Sequence, residues 1–378
     1  MLYWLLYEQL YPRFFPFPLF RYVTFRTAFA SLTALLLCAV LGPWLIQKLR
    51  QLQIGQHIRE EGPQSHQHKA GTPTMGGVLI LVAIVVPTLL WANLRNPYIW
   101  VAMFGLVSFG AIGFWDDFSK VKQRRNLGLS GRKKFLLQVA AALLVGMLLL
   151  ILHAKGLYST GMNVPFFKQL KPDMLIDQFL TSPLTYPLAF VAFFGFLILV
   201  IAGSANAVNL ADGLDGLAIG LMIISSGAMT ILTYVSSHAQ FAAYLDLVRL
   251  PGASELTIYC GAMTGASLGF LWYNAHPADI FMGDVGSLSL GAAMATVAVL
   301  IKQEILLLFI GGVFVLEAMS VILQVGSYKL RHGKRIFKMA PLHHHFEALG
   351  WKESKIIVRF WITGLVLALL ALSTLKLR

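Results

Sequence analysis

Ten apolar runs organise this chain, at about residues 24–46, 75–92, 98–115, 134–152, 187–203, 216–235, 257–274, 286–301, 305–326 and 356–375. Each approaches the roughly 20 residues that carry a helix across a hydrocarbon core. Polar stretches separate them, so the pattern predicts an all-α polytopic membrane protein with ten transmembrane helices. The opening MLYWLLYEQLYP lacks the basic region of a signal peptide, and Pro12, Pro16 and Pro18 interrupt the aromatic stretch around it. An interfacial segment of about residues 1–20 is expected, leading into a single integral membrane domain over 1–378. No repeat, heptad or low-complexity tract divides the chain.

Composition agrees and adds orientation. Of 378 residues, 57% are hydrophobic and 12% charged, with a mean hydropathy of +0.70, which excludes a water-soluble globule. Loops after odd-numbered runs, with Lys134 at the next run's edge, hold 18 of the 30 Lys and Arg residues, and the opposite side holds ten. Arg26 and Arg359 lie inside runs near ends from which they can snorkel. The positive-inside rule then places the odd loops in the cytoplasm and both termini outside. Such a basic face also suits phosphate-rich substrates or anionic lipid. Cys38 and Cys260 both fall in apolar runs, giving neither a disulfide framework nor a metal pair, so packing roles are expected.

The chemically loaded stretches all fall on that one face: KAGTPTMGG (69–77), FWDDFSK (114–120), NAVNLADGLDG (206–216), NAHPADIFMGDVGSL (274–288) and RIFKMAPLHHHFE (335–347). Five separate stretches on one side of a membrane point to one site. Asp116 and Asp117 are adjacent carboxylates at a membrane edge, costly unless a cation, a proton or Lys120 compensates them. A hard divalent ion selects such oxygens; a solvated interfacial loop is the plain alternative. Asp212 and Asp215 are three apart and share a helix face, beside Gly213 and Gly216. Helix capping would use the same groups. Asp284, between Gly283 and Gly286 at the predicted start of the eighth span, is either a capping carboxylate or a third metal ligand. The basic run KVKQRRNLGLSGRKK (120–134) follows the Asp pair directly and suits a diphosphate or lipid phosphate. KAGTPTMGG lacks the Gly-Lys-Ser/Thr order of a P-loop, which rejects an ATPase. Glu317 and Gln324 lie within the ninth span, where polar groups face protein or a cavity.

Three consecutive histidines, His343, His344 and His345, invite a metal-site interpretation that geometry disfavours. Successive residues point about 100° apart on a helix and to opposite sides of a strand, so three neighbours do not readily chelate one ion. Diphosphate binding and a solvated loop remain open.

Taken in order, AGTPTMGG, DDFSK, NAVNLADGLDG, FMGDVGSL and RIFKMAPLHHHFE closely resemble the bacterial phospho-N-acetylmuramoyl-pentapeptide-transferase family of peptidoglycan synthesis, from about residue 20 to the end. The wider superfamily of polyprenyl-phosphate N-acetylhexosamine-1-phosphate transferases shares the acidic motifs, and PLHHHFE marks the muramoyl-pentapeptide branch. The resemblance implies ten transmembrane helices in the bacterial inner membrane, both termini periplasmic and the active site on the cytoplasmic face. It implies a homodimer that uses Mg²⁺ and no nucleic acid. The implied reaction moves phospho-MurNAc-pentapeptide from UDP-MurNAc-pentapeptide to undecaprenyl phosphate, yielding lipid I and UMP. Carried onto this chain, Asp116, Asp117 and Asp284 are the implied catalytic residues, with Asp284 and Asp117 at the metal. Phe281, Asn274 and Asp215 match uridine-pocket positions; Asp212, Lys69, Thr74, Gln324 and His344 match other substrate-contacting positions, and Asn209, His343 and His345 lie in the same motifs. Lys120 and Lys134 match basic positions near phosphates. Ala211, where the family usually has Thr, and Leu127, where it often has Lys, are departures that remove one hydroxyl and one cation.

Two rivals stand beside this expectation. A sibling enzyme transferring GlcNAc-1-phosphate would share the aspartates. A secondary transporter would show internal repeats and polar sites near the bilayer midplane rather than at one surface.

Overall fold

The computed structural model describes residues 1–10, 17–52, 71–123, 128–165, 167, 172–175, 185–245 and 247–376. Ten principal helices carry the fold: α1 Val23–Gln51, α2 Gly77–Trp91, α3 Pro97–Gln123, α4 Gly131–Ala154, α5 Tyr186–Ala211, α6 Leu217–Ser237, α7 Ser254–Asn274, α8 Gly283–Leu300, α9 Gly312–Leu330 and α10 Glu353–Ser373. Among the described residues there is no strand, only an isolated bridge between Gly161 and Asp173. Eight of the ten, all but α2 and α7, are long and apolar enough to cross a membrane. The expected second span is a 15-residue helix, and α7 carries Glu255 and Asn274 in its 21 residues. The expected ninth span begins as a separate short helix, Glu304–Ile310, and restarts at Gly312. The N-terminal segment forms short helical pieces, Tyr3–Leu10 and Phe17–Arg21.

α8 is the axis of the molecule. Every residue from Val285 to Leu300 is buried, and the helix packs against α3 and α5 with α2 alongside. Its small residues make this possible, because close helix packing in lipid relies on Gly, Ala, Ser and Thr. A Cβ on Gly77 of α2 would sit 2.0 Å from the Gly286 backbone nitrogen, and one on Gly113 of α3 would sit 2.2 Å from the Asp284 carbonyl oxygen. Backbones therefore touch where the acidic residues are.

At the opposite end of the bundle a buried ion pair fixes α1 to α7. Arg26 donates to both Glu255 oxygens at 2.7 and 2.8 Å and to the Trp91 carbonyl at 3.1 Å, and the Asn93 N–H donates to the same carboxylate at 2.7 Å. Cys38 and Cys260 are free and buried, the packing role expected of them. Removing one partner of a buried pair strands the other charge at a cost of about 3–5 kcal/mol. Glu255→Ala is accordingly expected to lower the detergent-solubilised protein's Tm sharply, and Glu255→Gln less; an unchanged Tm on thermal unfolding would remove the pair from the fold's supports.

Candidate active site

The acidic centre forms where the last turns of α3 meet the first turn of α8. Asp116 and Asp117 are each 3% exposed, and Asp284 lies in α8's first turn. One carboxylate oxygen from each of the three lies within 4.8 Å of the others, a set able to hold a metal ion. Such crowding needs cations, and two lysines provide them. Lys120 Nζ lies 2.6 Å from Asp116 Oδ2, 3.3 Å from Asp117 Oδ1 and 2.7 Å from Asp284 Oδ2; Lys134 Nζ lies 2.9 Å from the same Asp284 oxygen and 3.7 Å from Asp116 Oδ2.

Neutral donors fix what the lysines leave. The Leu129 N–H donates to Asp116 Oδ1 at 2.7 Å, and the Val285 N–H to Asp117 Oδ2 at 3.2 Å. Asn209, near the end of α5, donates from Nδ2 to Asp284 Oδ1 at 2.5 Å and to Ser287 Oγ at 2.8 Å. Gly283 has φ +70°, a left-handed conformation that other residues reach only with strain. A Cβ there would meet Asp117 Oδ2 at 2.5 Å and Thr74 Oγ1 at 3.0 Å. Thr74 thus stands at the cluster's edge. Its loop is laced to Phe281: Phe281 N–H donates to the Pro73 carbonyl at 2.8 Å and Gly76 N–H to the Phe281 carbonyl at 2.9 Å.

The turn between α5 and α6 holds the next acidic groups. Burial, then the charges of Asp284, Asp117 and Asp215, push the Asp212 carboxyl up to about 8. Asp215 makes a second cluster with His276 and Glu353. His276 Nδ1 lies 3.2 Å from Asp215 Oδ2 and 3.6 Å from Glu353 Oε2, while the Ala278 N–H donates to Asp215 Oδ2 at 3.2 Å. Asn274 ties this turn to the loop after α7, accepting from the Gly216 N–H at 3.1 Å and donating to the Ile280 carbonyl at 2.8 Å.

The three histidines occupy the short helix Leu342–Ala348 and separate in role. His343 is fully buried. Its N–H donates to Glu317 Oε1 at 3.2 Å, and its Nδ1 lies 3.2 Å from Glu317 Oε2, close but poorly aligned for a hydrogen bond. Its Nε2 faces Gly213, whose Cβ, if present, would lie 2.2 Å away. His344 Nδ1 lies 2.6 Å from Glu347 Oε2, and His345 Nδ1 accepts the Lys338 N–H at 3.1 Å. The three do not converge on one ion. Gln324 donates to the Phe337 carbonyl at 2.9 Å and accepts the Ile336 and Phe337 N–H groups at 3.0 and 2.9 Å. Its amide thereby holds the strand of chain that leads to the histidines.

The structure thus gathers Asp116, Asp117, Lys120, Lys134, Asn209 and Asp284 in one contact set, with Thr74 and Asp212 bordering it. Lys69 and Leu127 lie outside the described residues. Sequence patterns missed the backbone donors of Leu129 and Val285, which have no side-chain signature, and Ser287, His276 and Glu353. His276 stood inside a quoted motif; Glu353 opens α10 with nothing to mark it.

A carboxyl whose native pKa is raised binds protons more tightly folded than unfolded, so Asp212 weakens the fold as pH climbs from the ordinary carboxylate range to about 8. With chelator present, Asp212→Asn is expected to melt above the wild type at pH 8 and to match it at pH 4. Thermal unfolding at both pH values checks this; a gap of equal size at both would refute the raised pKa.

Similarity to known proteins points the same way. Residues 99–302 match the model for glycosyl transferase family 4, and residues 69–81 match the phospho-N-acetylmuramoyl-pentapeptide-transferase signature 1. The chain is 68% identical over 378 residues to a phospho-N-acetylmuramoyl-pentapeptide-transferase of Solibacter usitatus (strain Ellin6076), covering 100% of both chains. It is 64% identical over 380 residues to that of Koribacter versatilis (strain Ellin345), again covering 100% of both. Identity of this extent, over the chain that builds the acidic centre, places the protein in the phospho-N-acetylmuramoyl-pentapeptide-transferase family.

Proposed function

We infer that this chain transfers phospho-N-acetylmuramoyl-pentapeptide from UDP-MurNAc-pentapeptide to undecaprenyl phosphate, forming lipid I and releasing UMP. The observation that carries this is the convergence of Asp116, Asp117 and Asp284 on Lys120 and Lys134 in a chain 68% identical over its whole length to a named transferase.

The chemistry is charge management. A lipid phosphate oxygen attacks the β-phosphorus of the UDP-sugar, a new P–O bond forms, and the bond from that phosphorus to the bridging oxygen breaks to release UMP. Lys120 and Lys134 supply mobile ammonium groups beside the carboxylates, able to turn onto phosphate oxygens and offset the repulsion between two anions. Asp116 takes any proton left on the attacking phosphate; with a second pKa of about 6, that phosphate is mostly ionised at neutral pH, so this contribution is small. Three crowded carboxylate oxygens form a hard-donor set that fits Mg²⁺, and Asp284 and Asp117 would hold it, with Asp116 adjoining. When bound, the ion would neutralise diphosphate charge. Asn209 orients Asp284 for that task.

The family's motif positions assign the substrate contacts: Phe281, Asn274 and Asp215 would receive the uridine, and Asp212, Thr74, Lys69, His344 and His345 would border the diphosphate and sugar, with Gln324 and the buried His343 supporting the segment that carries the histidines. Ten membrane crossings, with α2 and α7 joining the eight long apolar helices, would set both termini in the periplasm of a bacterial inner-membrane homodimer. The basic loops after odd-numbered spans support that orientation.

Purified protein given Mg²⁺, undecaprenyl phosphate and UDP-MurNAc-pentapeptide is expected to release UMP; release only with UDP-GlcNAc would overturn the substrate assignment. Asp284→Ala should abolish turnover in a protein that still folds, and Asn209→Ala should raise the Mg²⁺ needed for half-maximal turnover by about 10- to 100-fold. A Mg²⁺ titration identical to wild type in the Asn209 variant would separate it from the metal site. Rapid-quench trapping with labelled UDP-sugar and no acceptor is expected to yield no protein-bound sugar phosphate; a covalent adduct would favour a two-step path.

A further inference from the structure

At the end of the bundle away from the acidic centre, the first turn of α1 and the last turn of α6 wall a cavity of about 700 Å³. Arg21, Tyr22, Thr24, Tyr234, His238 and Arg249 give it its chemistry. The N-terminal end of α6 adjoins the Asp212–Asp215 turn, and the helix runs 21 residues to reach the cavity. At about 1.5 Å per residue, the two sites lie on the order of 30 Å apart, so this pocket is not a lobe of the active site.

Its lining carries two guanidinium groups and no carboxylate, and neither arginine is paired with an acid among the described residues. His238 adds an imidazole to the same lining. α1, 29 residues long, starts at Val23 with no side-chain cap from Tyr22, which adds the positive end of a helix dipole to the same wall. Everything there favours an anion. The position favours one with an apolar tail: the cavity opens at the ends of two membrane-spanning helices, and Phe241, Tyr244 and Val248 on the adjoining segment are exposed apolar surface. Tyr22 and Tyr234 have the amphipathic rings that settle at headgroup level.

We propose that this cavity binds the phosphate headgroup of an anionic phospholipid from the leaflet opposite the catalytic centre. Arg21 and Arg249 pair with the phosphate, the tyrosine hydroxyls and His238 complete its hydrogen bonds, and the acyl chains rest on the exposed apolar segment. None of these residues takes part in the transfer reaction.

Native mass spectrometry of the detergent-solubilised full chain tests it, with phosphatidylglycerol and phosphatidylcholine of matched acyl chains offered together. Wild type is expected to retain phosphatidylglycerol over phosphatidylcholine by about tenfold, and the Arg21→Gln/Arg249→Gln double variant to fall to about twofold or less. Arg21→Lys/Arg249→Lys, which keeps the charge, is expected to keep most of the preference. Arg249→Gln alone, at an exposed side chain that does not support the fold, should lose about threefold and gives the same readout if the double variant fails to fold. A preference unchanged in the Gln variants would overturn the proposal. Displacement of the retained lipid by millimolar inorganic phosphate would make the cavity a soluble-anion site and would equally overturn it.

Discussion

Three carboxylates held within 4.8 Å at a membrane edge are the constraint around which this protein is built. Like charges so close, with two of them 3% exposed, repel strongly where the dielectric is reduced, and the fold answers each oxygen. Lys120 reaches all three acids, Lys134 reaches two, and the Leu129 and Val285 N–H groups and Asn209 take other oxygens. A centre balanced in this way exchanges partners at low cost. Phosphates entering there would offer the lysines new anions, and a divalent cation would offer the carboxylates a new counter-charge, so binding would replace one compensated arrangement with another.

Holding that centre in place requires backbones at contact distance. α8 is buried from Val285 to Leu300, and the Gly77–Gly286 and Gly113–Asp284 approaches leave no space for a side chain. The same closeness aims the α8 first turn at the end of α3, so the packing of small residues and the position of Asp284 are one structural fact. The other wall is tied less directly. Gln324 organises the backbone at 336–337, Glu317 holds the His343 N–H, and His343 packs on Gly213 beside Asp212 and Asp215. PLHHHFE therefore joins α9 to the acidic turn through its one buried imidazole, while His344 and His345 stay with local partners. The two ends of the bundle are electrostatic opposites: the acidic centre gathers lysines around carboxylates, and the cavity near Arg21 and Arg249 is lined by guanidinium groups without a carboxylate.

Sequence by itself determined the class and the face. Apolar runs of spanning length leave a backbone in lipid no option but helices, and motifs in the loops after odd-numbered runs already held Asp116, Asp117, Asp212, Asp215 and Asp284. Adjacency in the sequence also argued against joint chelation by the histidines, and in the structure His343 lies against Glu317, His344 against Glu347 and His345 accepts the Lys338 N–H. Tertiary structure alone decided which charges meet. That Lys120 reaches Asp284 as well as its own neighbours Asp116 and Asp117, that Lys134 meets the same carboxylate, and that Glu353 joins Asp215 and His276 depend on contacts between residues tens to hundreds of positions apart. Such contacts arise from the depth at which helices interdigitate, and local patterns of polarity carry no record of that.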